Sequence, residues 1–490
     1  MDLSTFYKQQ TSHYNFCQSI IYLNFDHQIF YIMHQKNKQK VHFIAIGGSV
    51  MHNLAIALNH KGLQVTGSDD HVYEPSRSKL AQNGLLPKDM GWYPEKITKD
   101  LDAVILGMHA REDNPELKKA IDLNIKIYSY PEYIYHQAKD KQRVVVAGSH
   151  GKTTITSMLI HVLKFYNREI DYLVGAALEG FDNMVKLSDA PIIIIEGDEY
   201  FSSPLDKSPK FLRYNHHVGL ISGIAWDHVN VFPTYEEYVK QFDIFADATP
   251  KAGNLIYCEE DAMATVICSK ERKDVNTMEY KLPEHTIEDG TTILLHDGER
   301  FPLQIFGKHN LLNIGAATKV LSRMGLNSQQ VYEAMKSFSG AANRLQKIAS
   351  AENMSVYKDF AHAPSKVEAT VAAVKEQYPD RKLIAVLELY TFSSLTKKFL
   401  NQYQHTLSPV DIPIVYFNPE TIKQKKLELF SKEDIKKAFG HDDLLVFDNK
   451  ADLQQFLLNI DNKEVNLLLM SSGNFDGLEM TALSEKIVLS

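Results

Sequence analysis

The chain has 490 residues and a formal net charge of −8. That length exceeds what one hydrophobic core holds and points to about three domains. The acidic balance argues against nucleic-acid binding as the main task. Three scattered cysteines, Cys17, Cys258 and Cys268, make neither a disulfide framework nor a Cys-x-x-Cys metal pair, which fits a reducing cytoplasm.

Residues 1–40 read as an N-terminal extension without domain-like organisation. The apolar patches Ile20–Leu23 and Ile29–Met33 are interrupted by Asn24, Asp26, His27 and Gln28, unlike a signal peptide, and a start near Met33 is expected. No apolar run approaches the ~20 residues of a membrane helix, so no membrane partner is expected.

Residues 41–140 read as a parallel α/β unit. Val41–Ile46 is a strand running into the turn Gly47-Gly48-Ser49, a helix follows from about Met51 to His60, and Gln64–Asp70 is a second strand ending in acids. Asp69 lies 22 residues after Gly47, the distance at which a Rossmann unit places a ribose-binding acid. The third glycine of Gly-x-Gly-x-x-Gly is missing, so the dinucleotide signal is weak. A nucleotide-phosphate turn of unspecified partner and an ordinary βα turn both remain open. Further strands are expected at Ala103–Gly107 and Lys126–Ser129. The stretch from His109 to Asn114 stands at a strand end, as a site wall or a solvated loop.

Residues 141–341 carry the strongest signal. Val144–Ala147 is a buried strand, Gly148-Ser149-His150-Gly151-Lys152-Thr153-Thr154 a tight loop, and Ile155–Leu163 a helix. Backbone N–H groups and the positive helix end then face an anion, with Lys152 in reach of terminal phosphates and the Thr153 or Thr154 hydroxyl free for magnesium. Val146 stands where the full P-loop pattern has its first glycine, so the motif is a shortened variant. The buried strand Ile192–Ile195 ends in Glu196, Asp198 and Glu199, hard oxygen ligands suited to magnesium opposite the phosphates. Val218–Ile224 leads to Asp227-His228, with His228 read as a metal or substrate contact. Residues 272–300 read as surface hairpins turning at Asp289-Gly290 and Asp297-Gly298. His309, Asn310 and Asn313 open a small-residue helix; the two asparagines share a face suited to a purine edge, unless Asn310 is a cap.

Residues 342–490 open a third α/β unit at Met354–Pro364, with later strands at Leu383–Leu389, Ile414–Phe417 and Asn466–Met470.

Taken together these segments resemble the Mur ligase family, ATP-dependent enzymes that join amino acids or peptides to UDP-linked muramic acid. The likeness covers Val41 to the C-terminus and rests on six motifs in the family's order. They are the loop Gly148–Thr154, Glu196-Gly197-Asp198-Glu199, Asp227-His228, Gly307–Asn313, Arg344, and Asp359-Phe360-Ala361-His362. The resemblance implies a Rossmann-like N-terminal domain, a central P-loop ATPase-type domain and a Rossmann-like C-terminal domain. It implies ATP and Mg²⁺ as cofactors, with Lys152, Glu196 and His228 catalytic and Thr153, Glu196 and His228 on the metal. Nucleotide contacts would come from Gly148, His150, Gly151, Lys152, Thr153, Thr154, His309, Asn310, Asn313, Arg344 and Asp359.

Ile46-Gly47-Gly48 and Gly67-Ser68-Asp69 resemble the branch that accepts UDP-N-acetylmuramate itself, which assigns Gly47, Gly48, Ser49, Ser68, Asp69 and His109 to that substrate. Within this branch, Met51 and the first domain look most like the ligases that take the tripeptide L-alanyl-γ-D-glutamyl-meso-diaminopimelate. L-alanine stays open as acceptor, because Glu388–Ser394 lacks the arginine or histidine often seen in that acceptor loop. A switch protein that hydrolyses ATP without an acceptor is the non-enzyme alternative. Assembly is expected to be monomeric or homodimeric. Lys152→Ala is expected to abolish turnover and leave the fold intact.

Overall fold

The structure, a computed structural model, describes residues 38–175, 183–226, 231–341, 344–461 and 463–489. They fall into two compact units. One runs through Tyr133 and includes Ser203–Asp206, and the other holds Ile134–Ser202 and everything from Lys207. Among the described residues no helix is long and apolar enough to cross a membrane.

The first unit is built on a parallel sheet of β1 (Lys40–Ile44), β2 (Gln64–Ser68), β3 (Ala103–Leu106) and β4 (Ile127–Ser129), in the order β2-β1-β3-β4. The central strand β3 is buried along its whole length, as a parallel strand covered on both faces must be. Asn114, at the end of the stretch expected to be a site wall or a loop, is a helix cap. Its side chain accepts from the N–H groups of Glu116 and Leu117 at 2.9 and 3.1 Å, closing the open end of the helix Pro115–Asp122.

The second unit contains two large sheets. The first comprises β5 (Gln142–Ala147), β6 (Asp171–Leu173), β7 (Val185–Lys186), β8 (Ile192–Glu196), β9 (Val218–Ile221), β10 (Asn254–Cys258) and β11 (Asn276–Tyr280). Their order is β11-β10-β9-β5-β8-β6-β7, parallel except at the β7 edge. Of the four isoleucines expected to be buried in β8, Ile193, Ile194 and Ile195 are, while Ile192 at the strand's start is half-buried. The helices Lys152–Phe165 and Lys308–Ser322 share one core, in which Ile155, Met158 and Leu159 belong with Ile314, Ala317 and Leu321. The second helix is rich in small residues because it approaches other backbone. A Cβ at Gly315 would lie 2.4 Å from the Lys281 carbonyl.

Residues 272–300 differ from the expected run of surface hairpins. Asn276–Tyr280 pairs in parallel with β10 as part of the main sheet. Only β12 (His285–Glu288), β13 (Thr291–His296) and β14 (Glu299–Pro302) form hairpins, and they turn at Asp289-Gly290 and Asp297-Gly298, where all four residues have positive φ. Nor are they surface appendages, since Thr292, Leu294 and Phe301 are buried.

The C-terminal sheet has the order β15-β16-β20-β17-β18-β19, formed by β15 (Gln346–Ala351), β16 (Met354–Asp359), β17 (Lys382–Leu389), β18 (Ile412–Phe417), β19 (Leu445–Phe447) and β20 (Val465–Met470). It is parallel except for the β15 edge. Alternation along β17 feeds a core on each face, Ala385 and Leu387 on one side, Ile384 and Val386 on the other.

A buried polar tie joins the hairpin sheet to the helix Pro364–Gln377. Thr292 donates its hydroxyl to Gln377 Oε1 at 2.8 Å, and Gln377 Nε2 donates to the Gly290 carbonyl at 2.6 Å. Gln377→Ala removes both and strands a buried hydroxyl and a carbonyl. The expected loss is about 1–3 kcal/mol of stability in urea unfolding, and an unchanged midpoint would show that water satisfies those groups.

Candidate functional site

The site of the second unit grows from strand order. β5 lies between β8 and β9, with Val146 in register with Glu196 and Ala147 with Ile221, so three parallel strands end side by side. The connection after β5 runs toward β6 and that after β9 toward β10, so they part above β5 and β9, where open α/β sheets hold ligands. The loop is stitched to its neighbours by backbone bonds, Gly197 N–H to Val146 O at 2.8 Å and Ser149 N–H to Gly223 O at 2.9 Å.

Two glycines make this path feasible. Gly148 has φ +127° and an added Cβ would meet Ser222 Oγ at 2.2 Å; Gly151 has φ +76° and a Cβ there would meet Asn313 Oδ1 at 2.3 Å. With valine rather than glycine at position 146, the strand continues through Ala147 and the chain bends at Gly148. The helix that starts at Lys152 has no side-chain cap, so its first N–H groups open toward the loop.

Above the loop lies a cavity of about 420 Å³. Of the residues expected at the nucleotide, His150, Gly151, Lys152, Thr153, Thr154, His309, Asn310, Asn313, Arg344 and Asp359 all line it, and Glu196 joins them. Gly148 shapes the loop from below. Asn310 is no cap: Gly307 holds that position, and Asn310 Nδ2 donates to the Phe306 carbonyl at 2.9 Å. Arg344 lies over the Phe360 ring at 4.6 Å. Burial pushes the Asp359 carboxyl up, against the Arg344 charge and the N–H groups of Ala361 and Leu345, each 2.5 Å from it. His228, with Asp227, lies outside the described residues.

The three acids at the carboxyl end of β8 do not converge as expected for one cation. Glu196 Oε1 accepts from the Thr153 hydroxyl at 2.7 Å and Oε2 from the Gly175 N–H at 2.6 Å. Asp198 pairs with Lys210 at 2.5 Å, and Glu199 lies beneath the loop against Lys152. Once the strand ends, successive side chains follow the turn rather than one face. Among the described residues no three His, Cys, Asp or Glu side chains are grouped to hold a metal. What fits magnesium is narrower, the adjacent oxygens of Thr153 and Glu196. Burial raises the Glu196 carboxyl above its usual range, so a cation there would relieve a costly charge. Magnesium takes only one or two protein carboxylates when phosphates supply the rest.

Motif reading did not single out the wall contributed by the helix Pro364–Gln377. Ser365, Lys366, Ala369 and Thr370 line the cavity, and His150 Nε2 lies 3.0 Å from Ser365 Oγ across 215 residues of sequence. No spacing rule announces a contact of that range.

In the first unit, Asp69 faces the glycine turn rather than open space. Its carboxylate accepts the Gly47 N–H at 2.7 Å and the His71 N–H at 3.3 Å, and burial raises its pKa. Ser68 is fully buried, and its carbonyl accepts from Ala45 and Ile46. Gly48 and Ser49 open the helix Ser49–His60 beside this turn, whereas His109 is exposed beyond the end of β3.

A parallel sheet with a phosphate-type loop, a helix N-terminus and a cavity walled by a second sheet domain defines a nucleotide-using α/β enzyme. Three domain families match the chain in order: "Mur ligase family, catalytic domain" over residues 40–142, "Mur ligase middle domain" over 146–321, and "Mur ligase, glutamate ligase domain" over 343–473. The UDP-N-acetylmuramate–L-alanine ligase of Caldicellulosiruptor bescii is 31% identical over 77% of this chain and 83% of its own length. The UDP-N-acetylmuramate–L-alanyl-γ-D-glutamyl-meso-2,6-diaminoheptandioate ligase of Haemophilus influenzae is 26% identical over 91% and 98%. A crystal structure of the UDP-N-acetylmuramate–alanine ligase of Thermotoga maritima superposes with a TM-score of 0.66 at 20% identity, covering 89% of this chain and 96% of that one, a likeness of fold. The chain belongs to the Mur ligase family, and is an ATP-dependent ligase that forms amide bonds.

Two outcomes test this geometry. Lys152 is the cationic partner of the buried Glu199 carboxylate, so Lys152→Ala strands that carboxylate and the expectation of an intact fold changes. Turnover should vanish and stability should fall by about 3–5 kcal/mol, with Lys152→Ala/Glu199→Gln regaining stability but not activity. A single variant as stable as the wild type would mean water reaches Glu199. Burial also holds the His309 imidazole at about 4, down from 6.5. The unfolded chain takes up a proton there below pH 6.5 that the folded chain refuses. The stability from this group is complete above pH 6.5 and is lost as the pH falls through about 4. His309→Gln should flatten that acid slope of the urea midpoint, and an unaltered slope would place the ring in water.

Proposed function

We propose that this ligase activates the carboxylate of UDP-N-acetylmuramate with ATP and couples it to the amino group of the tripeptide L-alanyl-γ-D-glutamyl-meso-diaminopimelate. The γ-phosphoryl group of ATP passes to the muramic carboxylate oxygen, giving an acyl phosphate and ADP. The acceptor amine then attacks the acyl carbon, the C–O bond to phosphate breaks, and phosphate and a proton leave as the amide forms.

The chain's own groups act by placement and charge. Loop N–H groups and Lys152 receive the β- and γ-phosphates, while Asn310, Asn313 and His309 lie along the nucleotide, with Arg344 and Asp359 closing the cavity. Thr153 and Glu196 would hold Mg²⁺, with His228 as a further ligand; when bound, the ion offsets phosphate charge. Gly47, Gly48, Ser49, Ser68, Asp69 and His109 are assigned to the UDP-sugar, with Asp69 holding the turn through the Gly47 N–H. Cytoplasmic location and a monomer or homodimer complete this reading.

One observation supports a peptide as acceptor. A polar cavity of about 320 Å³ opens at the carboxyl ends of β17 and β18, lined by Glu388, Tyr390, Asn418, Lys425 and Asp476 among others. That volume is in the range used by drug-sized ligands, and its mixed charges suit a molecule carrying both ammonium and carboxylate groups. The second reading, L-alanine as acceptor, is favoured by the name of the 31% identical Caldicellulosiruptor relative.

The deciding assay is phosphate release with ATP, Mg²⁺ and UDP-N-acetylmuramate plus either acceptor. Stimulation by the tripeptide alone is expected. Stimulation by L-alanine alone would move the chain to the second reading, and acceptor-independent release would point to a nucleotide switch.

A further inference from the structure

Beneath the phosphate loop, Lys152 is tied into a polar chain centred on Glu199, a carboxylate that the ligase chemistry above does not use. Lys152 Nζ lies 2.6 Å from the Gly148 carbonyl and 2.8 and 3.1 Å from the two carboxylate oxygens of Glu199. Glu199 is completely buried, and the Tyr238 hydroxyl donates to it at 3.2 Å. Tyr238, also fully buried, shares a 2.8 Å hydrogen bond with Ser149 Oγ, which accepts the Ala225 N–H at 2.8 Å. The phosphate loop, the segments after β8 and β9, and the helix Tyr235–Asp247 are thus joined through one carboxylate.

A buried carboxylate under an anion site is unfavourable for the anion, since both are negative and water does not screen them. It also engages the lysine. The ammonium donates to the Gly148 carbonyl and to one Glu199 oxygen, and the second Glu199 oxygen lies within ion-pair distance of it. A phosphate oxygen that draws the ammonium toward itself competes with the Glu199 carboxylate for it.

We propose that Glu199 is a resident counter-ion that occupies Lys152 in the empty loop and is exchanged for nucleotide phosphate, so that it sets how tightly nucleotide is held and how readily ADP leaves. Glu199 is a positioning residue in this scheme, because it acts on phosphate through Lys152. The inference rests on the reading of this loop as the ATP site.

Calorimetric titration of the full-length chain with ADP and Mg²⁺ tests it. Glu199→Gln keeps the shape and removes the charge, and should bind ADP about tenfold more tightly than the wild type. In steady state its KM for ATP and its kcat should fall together, since product is held longer, whereas a merely structural role would raise KM or leave it unmoved. Glu199→Asp keeps the charge and should return ADP affinity toward the wild-type value. ADP binding by Glu199→Gln no tighter than wild type overturns the proposal.

Should that variant fail to fold, a crystal structure of the wild type with ADP and Mg²⁺ decides. Lys152 Nζ moved onto a phosphate oxygen and out of hydrogen-bond range of at least one Glu199 oxygen supports exchange. Retention of both Glu199 contacts overturns it. Absence of ADP binding by the wild type would overturn the ATP-site reading and this inference with it, a result distinct from equal binding by wild type and variant.

Discussion

Because β5 is hydrogen-bonded in parallel to β8 on one flank and β9 on the other, three strand ends open at one level. The phosphate-loop side of the cavity in the second unit follows from that level. Glu196 stands opposite Val146, Ser222 and Gly223 come up beside Ala147, and the loop between them bends only because Gly148 and Gly151 accept positive φ and carry no Cβ. A one-residue slip between β5 and β8 would turn the Glu196 side chain to the other face of the sheet and away from Thr153.

Charge is then distributed by packing rather than by motif. Glu196, Asp198 and Glu199 are near neighbours in sequence, yet each has its own cationic or hydrogen-bonding environment: Thr153 and Gly175, Lys210, and Lys152. The Glu199 carboxylate beneath the loop is costly to desolvate and its pair with Lys152 costly to break from one side, so its value lies in fixing Lys152 rather than in net stabilisation. The same logic holds at Asp69, where a carboxylate expected to face ribose is bonded to the N–H of the glycine turn.

The cavity above the phosphate loop is a shared product of two sheet systems within the second unit. Its floor is the phosphate loop and its far wall the helix Pro364–Gln377, which Gln377 anchors to the hairpin sheet through Thr292 and Gly290. The hairpins, which look like surface ornament in sequence, therefore hold the C-terminal part of the chain at the cavity.

The α/β class, the strand–loop–helix at Val144–Leu163, the hairpin turns at Asp289-Gly290 and Asp297-Gly298, and the run of motifs that marks the family are all legible in the order of the residues. These are local facts: a buried parallel strand needs an apolar run, a positive φ favours glycine, and a phosphate loop needs both within a dozen residues. Tertiary structure alone decided which acids meet and what they face. That β11 joins the main sheet, that Glu199 pairs with Lys152 through a network reaching Tyr238, and that His150 touches Ser365 all depend on strand order and on contacts between residues distant along the chain. Periodicity tells which face of an element is buried, but it carries no information about which other element covers that face.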